Sequence, residues 1–209
     1  MKIILVRHGE TSWNKEQIFR GRKDIELNRN GLLQAKNIRK YLSNEHVDAI
    51  YSSPLIRAVS TAKEIVKYHK LDVRIAKELI DFDFGVWEGL TIKQVQNKYS
   101  KQFNIWETNP ESLKIPKGET IPDLEKRLKE FINYLKINYF EQTIVIVSHR
   151  VVLKLFVLLT VGFGIDYFWS IKLDPCSISI VESLDKNRFI LTRLNEIPHL
   201  TEYKNQADF

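Results

Sequence analysis

Two continuous apolar runs punctuate the chain. Ile3-Ile4-Leu5-Val6 stops abruptly at Arg7-His8-Gly9-Glu10, and Ile144-Val145-Ile146-Val147 stops at Ser148-His149. Runs of this length without polar alternation predict strands buried on both faces. Elsewhere the period lengthens. Leu32, Ala35, Ile38 and Leu42 recur at three- and four-residue spacing after Asn28, a good N-cap, and predict a helix. "VDAIYSSP" reads as a short strand ending in Ser52-Ser53. Ser53 and Pro54 then suit the N-cap and first position of a helix that turns Ala58, Ala62, Ile65 and Val66 inward. "DVRIAKEL" predicts another short strand. Thr120 with Asp123 resembles a capping box and opens a helix striped by Leu124, Leu128, Phe131 and Leu135. A further helix runs through Val151, Leu155 and Leu158. "SISIVE" and "RFILTRL" predict two last strands around a hairpin-like turn at Asp185-Lys186-Asn187.

Strands alternating with helices argue for an α/β fold: a three-layer α/β/α sandwich on a mostly parallel, mixed central sheet. The stretch 81–118 is less regular. It holds aromatic residues, Gly85, Gly89 and Pro110, with one helix expected near Ile92 to Tyr99, and reads as a lid-like insertion in a single domain, 1–209.

Composition narrows the classes. The chain has 209 residues, 44% hydrophobic and 28% charged, enough to bury a core without disulfides or metals. The net charge of +6 suits small anions. Lys and Arg are interleaved with Asp and Glu along the chain, so no basic block marks a nucleic-acid arm. Cys176, the single cysteine, excludes an internal disulfide and a cysteine-based zinc cluster, and reads as a buried structural thiol. The first apolar run is too short for a signal-peptide core. Val151 to Gly164, interrupted by Lys154, is too short to span a bilayer. A cytoplasmic protein without nucleic-acid or membrane partners is expected.

In α/β sheets ligands bind beyond the carboxyl ends of strands. Three predicted strands end in groups suited to an anion: Arg7-His8, Ser52-Ser53 followed by Arg57, and Ser148-His149. If the three are neighbours, two histidines and two arginines converge on one place that would bind a phosphate group. Taken singly, a strand-end histidine also suits a structural hydrogen bond, and Arg57 a surface ion pair. His46, His69 and His199 have no such placement and read as surface residues.

The motifs "LVRHGET..N", "F.G..D..L...G" (Phe19 to Gly31), "SSPLIRAVSTA", "FGVWEG", "KGET" and "VSHRVVLKL" together resemble the signature of the histidine phosphatase superfamily, in its phosphoglycerate mutase-like branch. The likeness runs in order over nearly the whole chain. It implies that His8 is a nucleophile forming a phosphohistidine. Arg7, Arg57 and His149 would surround the phosphoryl group, with Asn14 an additional contact. No metal or other cofactor is then required. Neighbouring cations would keep the attacking nitrogen unprotonated and stabilise the transferring oxygens. The departing alkoxide needs a general acid. Where this branch usually carries Glu, "LIDFDFGVWEG" has Asp81, one methylene shorter, and Asp83 or Glu88 could substitute. Arg150 directly follows the second histidine, where the branch commonly has Gly.

The superfamily holds both hydrolases and mutases. Mutases carry basic residues, including an arginine pair, in a longer insertion after the acid segment. Here Gly89 to Gly118 contains no arginine, and "VWEG" is closer to the phosphatases. The resemblance implies a metal-independent phosphomonoesterase of the broad-specificity, α-ribazole phosphate or phosphoserine phosphatase type, acting on a small phosphorylated metabolite. Alternatives are a cofactor-dependent phosphoglycerate mutase and a non-catalytic phospho-ligand-binding module. A dinuclear metallophosphatase using His8, His149, Asp81 and Asp83 would lack the usual paired-ligand spacings. Arg20, just before Gly21, either lines the pocket and favours a second negative group on the substrate or lies on the surface. Phe82, Phe84, Trp87 and Trp106 form either an apolar wall beyond the phosphate or the core of the lid.

Overall fold

A computed structural model of the chain describes residues 1–183, 185 and 188–200. Six strands form one sheet: β1 (Lys2–Arg7), β2 (Ala49–Ser52), β3 (Val73–Ile75), β4 (Thr143–Ser148), β5 (Ile178–Ser183) and β6 (Phe189–Glu196), in the order β3-β2-β4-β1-β5-β6. β3, β2, β4 and β1 run parallel, while β5 and β6 add antiparallel partners on the far side of β1. The sheet is therefore mixed and mostly parallel, as its buried apolar strands require.

The uninterrupted apolar runs make sense once both sheet faces are covered. Ile3, Leu5, Ile144 and Ile146 face one cluster, filled by α6 (Ile121–Asn138), α7 (Arg150–Val161) and the aromatic residues between 81 and 118. Ile4, Val6, Val145 and Val147 face the other, filled by α2 (Arg29–Tyr41) and α3 (Ile56–Ile65). Each residue alternates sides along its strand, so both faces need hydrophobes. Cys176 is fully buried in the second cluster.

Two helices depart from the simple periodicity. In α2 the buried positions are Gly31, Gln34, Ala35 and Ile38, and Leu32 is 48% exposed. Gly31 presses on the turn after β1 so closely that a Cβ there would lie 2.1 Å from the Glu10 carbonyl oxygen, which rotates Leu32 outward. α3 begins at Ile56, later than Ser53-Pro54 suggests.

Between β3 and α6 the chain forms α4 (Ile92–Lys98), α5 (Ser100–Thr108) and short 3-10 turns. Phe82, Phe84, Trp87 and Trp106 are all buried there; Phe82 and Trp106 stack, with ring centroids 6.0 Å apart. α1 is a single turn, Ser12–Lys15. Of the expected hairpin turn, Lys186 and Asn187 lie outside the described residues. No helix among the described residues is long and apolar enough to cross a membrane.

Candidate active site

β2, β4 and β1 are adjacent, so the three polar strand ends meet. Register aligns them: Arg7 pairs with Ser148 and Ser52 with Val147. One residue further, the His8 and His149 rings lie with centroids 5.1 Å apart, and each residue is 1% exposed.

Among the described residues one hydrogen bond orients the His8 ring. Nδ1 lies 2.7 Å from the Gly9 carbonyl oxygen, which can only accept, so the proton sits on Nδ1. Nε2 is buried and has no hydrogen-bond partner among the described residues. Burial, followed by Arg57, the cost of charging two adjacent imidazoles, Arg7 and Arg20, holds the imidazole well below its usual pKa. An unprotonated, unpaired nitrogen among cations is suited to attack on an electrophile whose oxygens those cations can hold. The turn carrying it is fixed: the Gly9 amide donates to the Thr61 hydroxyl at 3.1 Å, which donates to the Arg57 carbonyl at 2.8 Å.

Arg57 is fully buried and organises the site's centre. It donates to the carbonyls of Lys23 (2.8 Å) and Gly21 (2.7 Å), to Asp81 Oδ2 (3.0 Å) and to His149 Nδ1 (3.3 Å). His149 Nε2 lies 2.7 Å from the Ser53 hydroxyl. That bond keeps Ser53 from capping α3 well; it reaches only the Leu55 amide, at 3.3 Å. Burial first, then Arg57, Arg20, Arg127 and Arg7, depress the His149 pKa strongly. Arg7 donates to the Leu173 carbonyl at 2.5 Å. Gly21 has a φ of +50°, and a Cβ there would meet the Glu88 carboxylate at 1.9 Å, so a side chain would dislodge the loop whose carbonyl holds Arg57.

A pocket lined by Arg7, Asn14, Arg20, Gly21, Asp81 and Arg150, with Phe84 and Ile92 among its apolar residues, adjoins His149 through Asp81. Asn14 spends its carboxamide oxygen on the Thr11 amide (2.9 Å), capping α1, and its NH2 has no partner among the described residues. The Asp81 carboxyl bridges Arg57 and the Phe82 amide (2.9 Å) and lies 3.5 Å from His149 Nδ1.

The family profile "Histidine phosphatase superfamily (branch 1)" matches residues 3–197. The chain belongs to the histidine phosphatase superfamily. It is 34% identical to phosphoserine phosphatase 1 of Hydrogenobacter thermophilus over 207 residues, covering 99% of this chain and 98% of that one. The α-ribazole phosphatase structure from Shigella flexneri superposes with a TM-score of 0.86 at 27% identity, over 98% of this chain and all of that one. A phosphoserine phosphatase from Entamoeba histolytica, in complex with 3-phosphoglyceric acid, gives 0.82 at 29% identity, over 95% and 98% of the two chains.

In this histidine phosphatase the site residues expected from sequence fall in two adjoining groups: His8, Arg57 and His149 are buried together, and Arg7, Asn14, Arg20, Gly21 and Asp81 line the pocket that adjoins them through the Arg57–Asp81 ion pair. The other two carboxyl candidates do not line the pocket. Asp83 Oδ1 accepts from the Gly85 amide at 2.8 Å, and Glu88 Oε1 from the Arg22 amide at 2.7 Å. Of the remaining histidines, His46 is exposed, whereas His199 is half-buried, with Nε2 2.9 Å from the Cys176 carbonyl oxygen. Arg127, on α6, was not legible from sequence. It reaches the carbonyls of Glu78 and Asp81 (3.4 Å) and clasps Glu119 at 2.7 and 2.9 Å, fixing the Asp81 segment through its backbone. Among the described residues no three of His, Cys, Asp and Glu group to hold a metal ion.

Proposed function

We propose that this histidine phosphatase hydrolyses small phosphate monoesters through a phosphohistidine on His8, without a metal or other cofactor. The carrying observation is His8 Nε2: buried, unpaired among the described residues, with the ring proton held on the opposite nitrogen and cations on the surrounding side chains.

In the first step Nε2 attacks phosphorus and the ester P–O bond breaks. Asp81, the only carboxylate lining the pocket among the described residues, gives its proton to the departing alkoxide. Arg7, Arg57 and His149 hold the phosphoryl oxygens as charge redistributes, with the Asn14 NH2 as a further donor. In the second step the Asp81 carboxylate takes a proton from water as that water attacks phosphorus, and the N–P bond breaks to regenerate neutral His8. The shorter Asp reaches the site because Arg57 draws its carboxylate inward while Arg127 and Arg22 hold its backbone carbonyl, both at 3.4 Å.

Residues 1–209 are taken as one domain, in which the insertion at 81–118 contributes Phe84 and Ile92 to the apolar lining of the pocket. The protein is taken as cytoplasmic and free of nucleic-acid and membrane partners. The test is chemical trapping. Brief mixing with a 32P-labelled phosphomonoester should give an acid-labile, base-stable phosphoprotein that is absent in His8→Ala. Substantial turnover by His8→Ala would overturn the mechanism.

A further inference from the structure

β1 is bound by β4 on one side, and on the other the turn just before β5 grips its last residues. The Arg7 amide donates to the Ser177 carbonyl at 3.3 Å, and the Cys176 amide donates to the carbonyls of Arg7 (3.0 Å) and His8 (3.3 Å). The Arg7 guanidinium donates to the Leu173 carbonyl at 2.5 Å. Residues 173–177 therefore hold both the backbone that carries the nucleophile and the side chain of the arginine beside it. Cys176 does so with a φ of +56°, a left-handed conformation that persists in a non-glycine residue only where the surroundings enforce it.

Part of that enforcement comes from β6, 21 residues further along the chain. Asn195 Oδ1 accepts from the Asp174 amide at 2.6 Å, and its Nδ2 donates to the Asp174 carboxylate at 2.8 Å. Asp174 in turn closes the loop, its carbonyl accepting from the Ser177 amide at 2.9 Å. Asn195 is itself left-handed, with a φ of +55° that asparagine tolerates better than most residues, and its amide donates to the Ser179 hydroxyl at 3.0 Å. Asp174 is 3% exposed, so both bonds to it lie where water competes little and hydrogen bonds are strong. Asn195 does not line the pocket. We propose that Asn195 is a positioning residue for catalysis: through its two hydrogen bonds to Asp174 it sets the turn 173–177, and through that turn the orientation of His8 and Arg7.

This inference rests on the phosphohistidine reading, and its test separates the two. Asn195→Gly removes both bonds while leaving the left-handed backbone unstrained. Asn195→Asp sets two carboxylates face to face. In each, kcat should fall by about tenfold or more at a temperature where melts show the variant folded, since ångström-scale misplacement of a reacting group can cost about 10²-fold. Alkyl and aryl phosphates should slow in equal proportion, unlike in Asp81→Asn, because the nucleophile is disturbed and the acid is not. The exchanged pair Asp174→Asn/Asn195→Asp again sets an amide against a carboxylate and should recover most of the loss. If Asn195→Gly does not fold, Asn195→Asp carries the same expectation. An unchanged kcat, slowing of alkyl esters alone, or a loss that the exchanged pair does not recover would overturn the proposal. Failure of both single variants to fold would make the contact structural only and overturn it equally. If the wild type turns over neither class of ester, the hydrolase reading fails by itself. Calorimetric binding of orthovanadate, a mimic of the transferring phosphoryl group, then decides the positioning role: binding weakened in Asn195→Gly and regained in the exchanged pair supports it, and equal or absent binding sinks it.

Discussion

The chemistry turns on single atoms whose protonation the fold controls. His8 and His149 are both kept neutral by burial among arginines, with pKa values well below the usual 6.5. The unfolded chain takes up protons at these residues near pH 6.5, while the folded protein does not until lower pH. Stability should therefore decline as pH falls from 7 towards 5 and keep declining until the folded-state values are reached. His8→Asn should show a shallower decline than wild type in denaturant melts across that range; parallel curves would mean that His8 is not held neutral. Asp81 provides a second residue-scale test. Asp81→Asn should slow alkyl phosphates by about 10²–10⁴-fold and aryl phosphates much less, since an aryl leaving group departs with little protonation. Equal slowing of both classes would place the acid elsewhere.

At the scale of elements, legibility followed local regularity. The runs ending at Arg7 and Ser148 announced central strands because burial on both faces leaves no alternation, and the Thr120–Asp123 cap marked the start of α6 correctly. The single turn α1 was missed, having too few residues to build an apolar stripe, and α5 was missed because only Phe103 and Trp106 of its nine residues are buried. Ser53 was misread because its cap chemistry was recognised but its competing partner, His149, lay 96 residues away. The strand-end site was legible since each strand delivers its own residues, whereas the support behind it was not. Arg127 belongs to that support: it lies 46 residues from Asp81, and only the packing of α6 brings them together. Arg127→Met should cost roughly 1–3 kcal/mol of stability, because it leaves the largely buried Glu119 short of donors. As a positioning residue it should also reproduce, in weaker form, the selective slowing of alkyl over aryl esters expected for Asp81→Asn. A stability loss with no change in that ratio would make its role structural only.

For the whole molecule, the open choice is the fate of the phosphohistidine. Isomerisation requires that the dephosphorylated acid stay bound, turn, and present a second hydroxyl before water arrives. The arginine-free segment from Gly89 to Gly118 bears on this directly. In the folded protein its contribution to the pocket lining is Ile92, an apolar contact that cannot hold a charged acid in two orientations. The arginines that line the pocket, Arg7, Arg20 and Arg150, come from the end of β1, the loop before Gly21 and the start of α7. Each directly neighbours a phosphate-holding segment in sequence, and none lies on the opposite, insertion side of the pocket, which favours one bound orientation and leaves water to capture the phosphoryl group. Loss of starting ester cannot separate the two fates, since both begin with the same transfer to His8, but the products can. Incubation of 3-phosphoglycerate, with and without catalytic 2,3-bisphosphoglycerate, should release inorganic phosphate and form no appreciable 2-phosphoglycerate. Rapid 2-phosphoglycerate formation that outpaces phosphate release and is accelerated by the bisphosphate would make this protein a mutase.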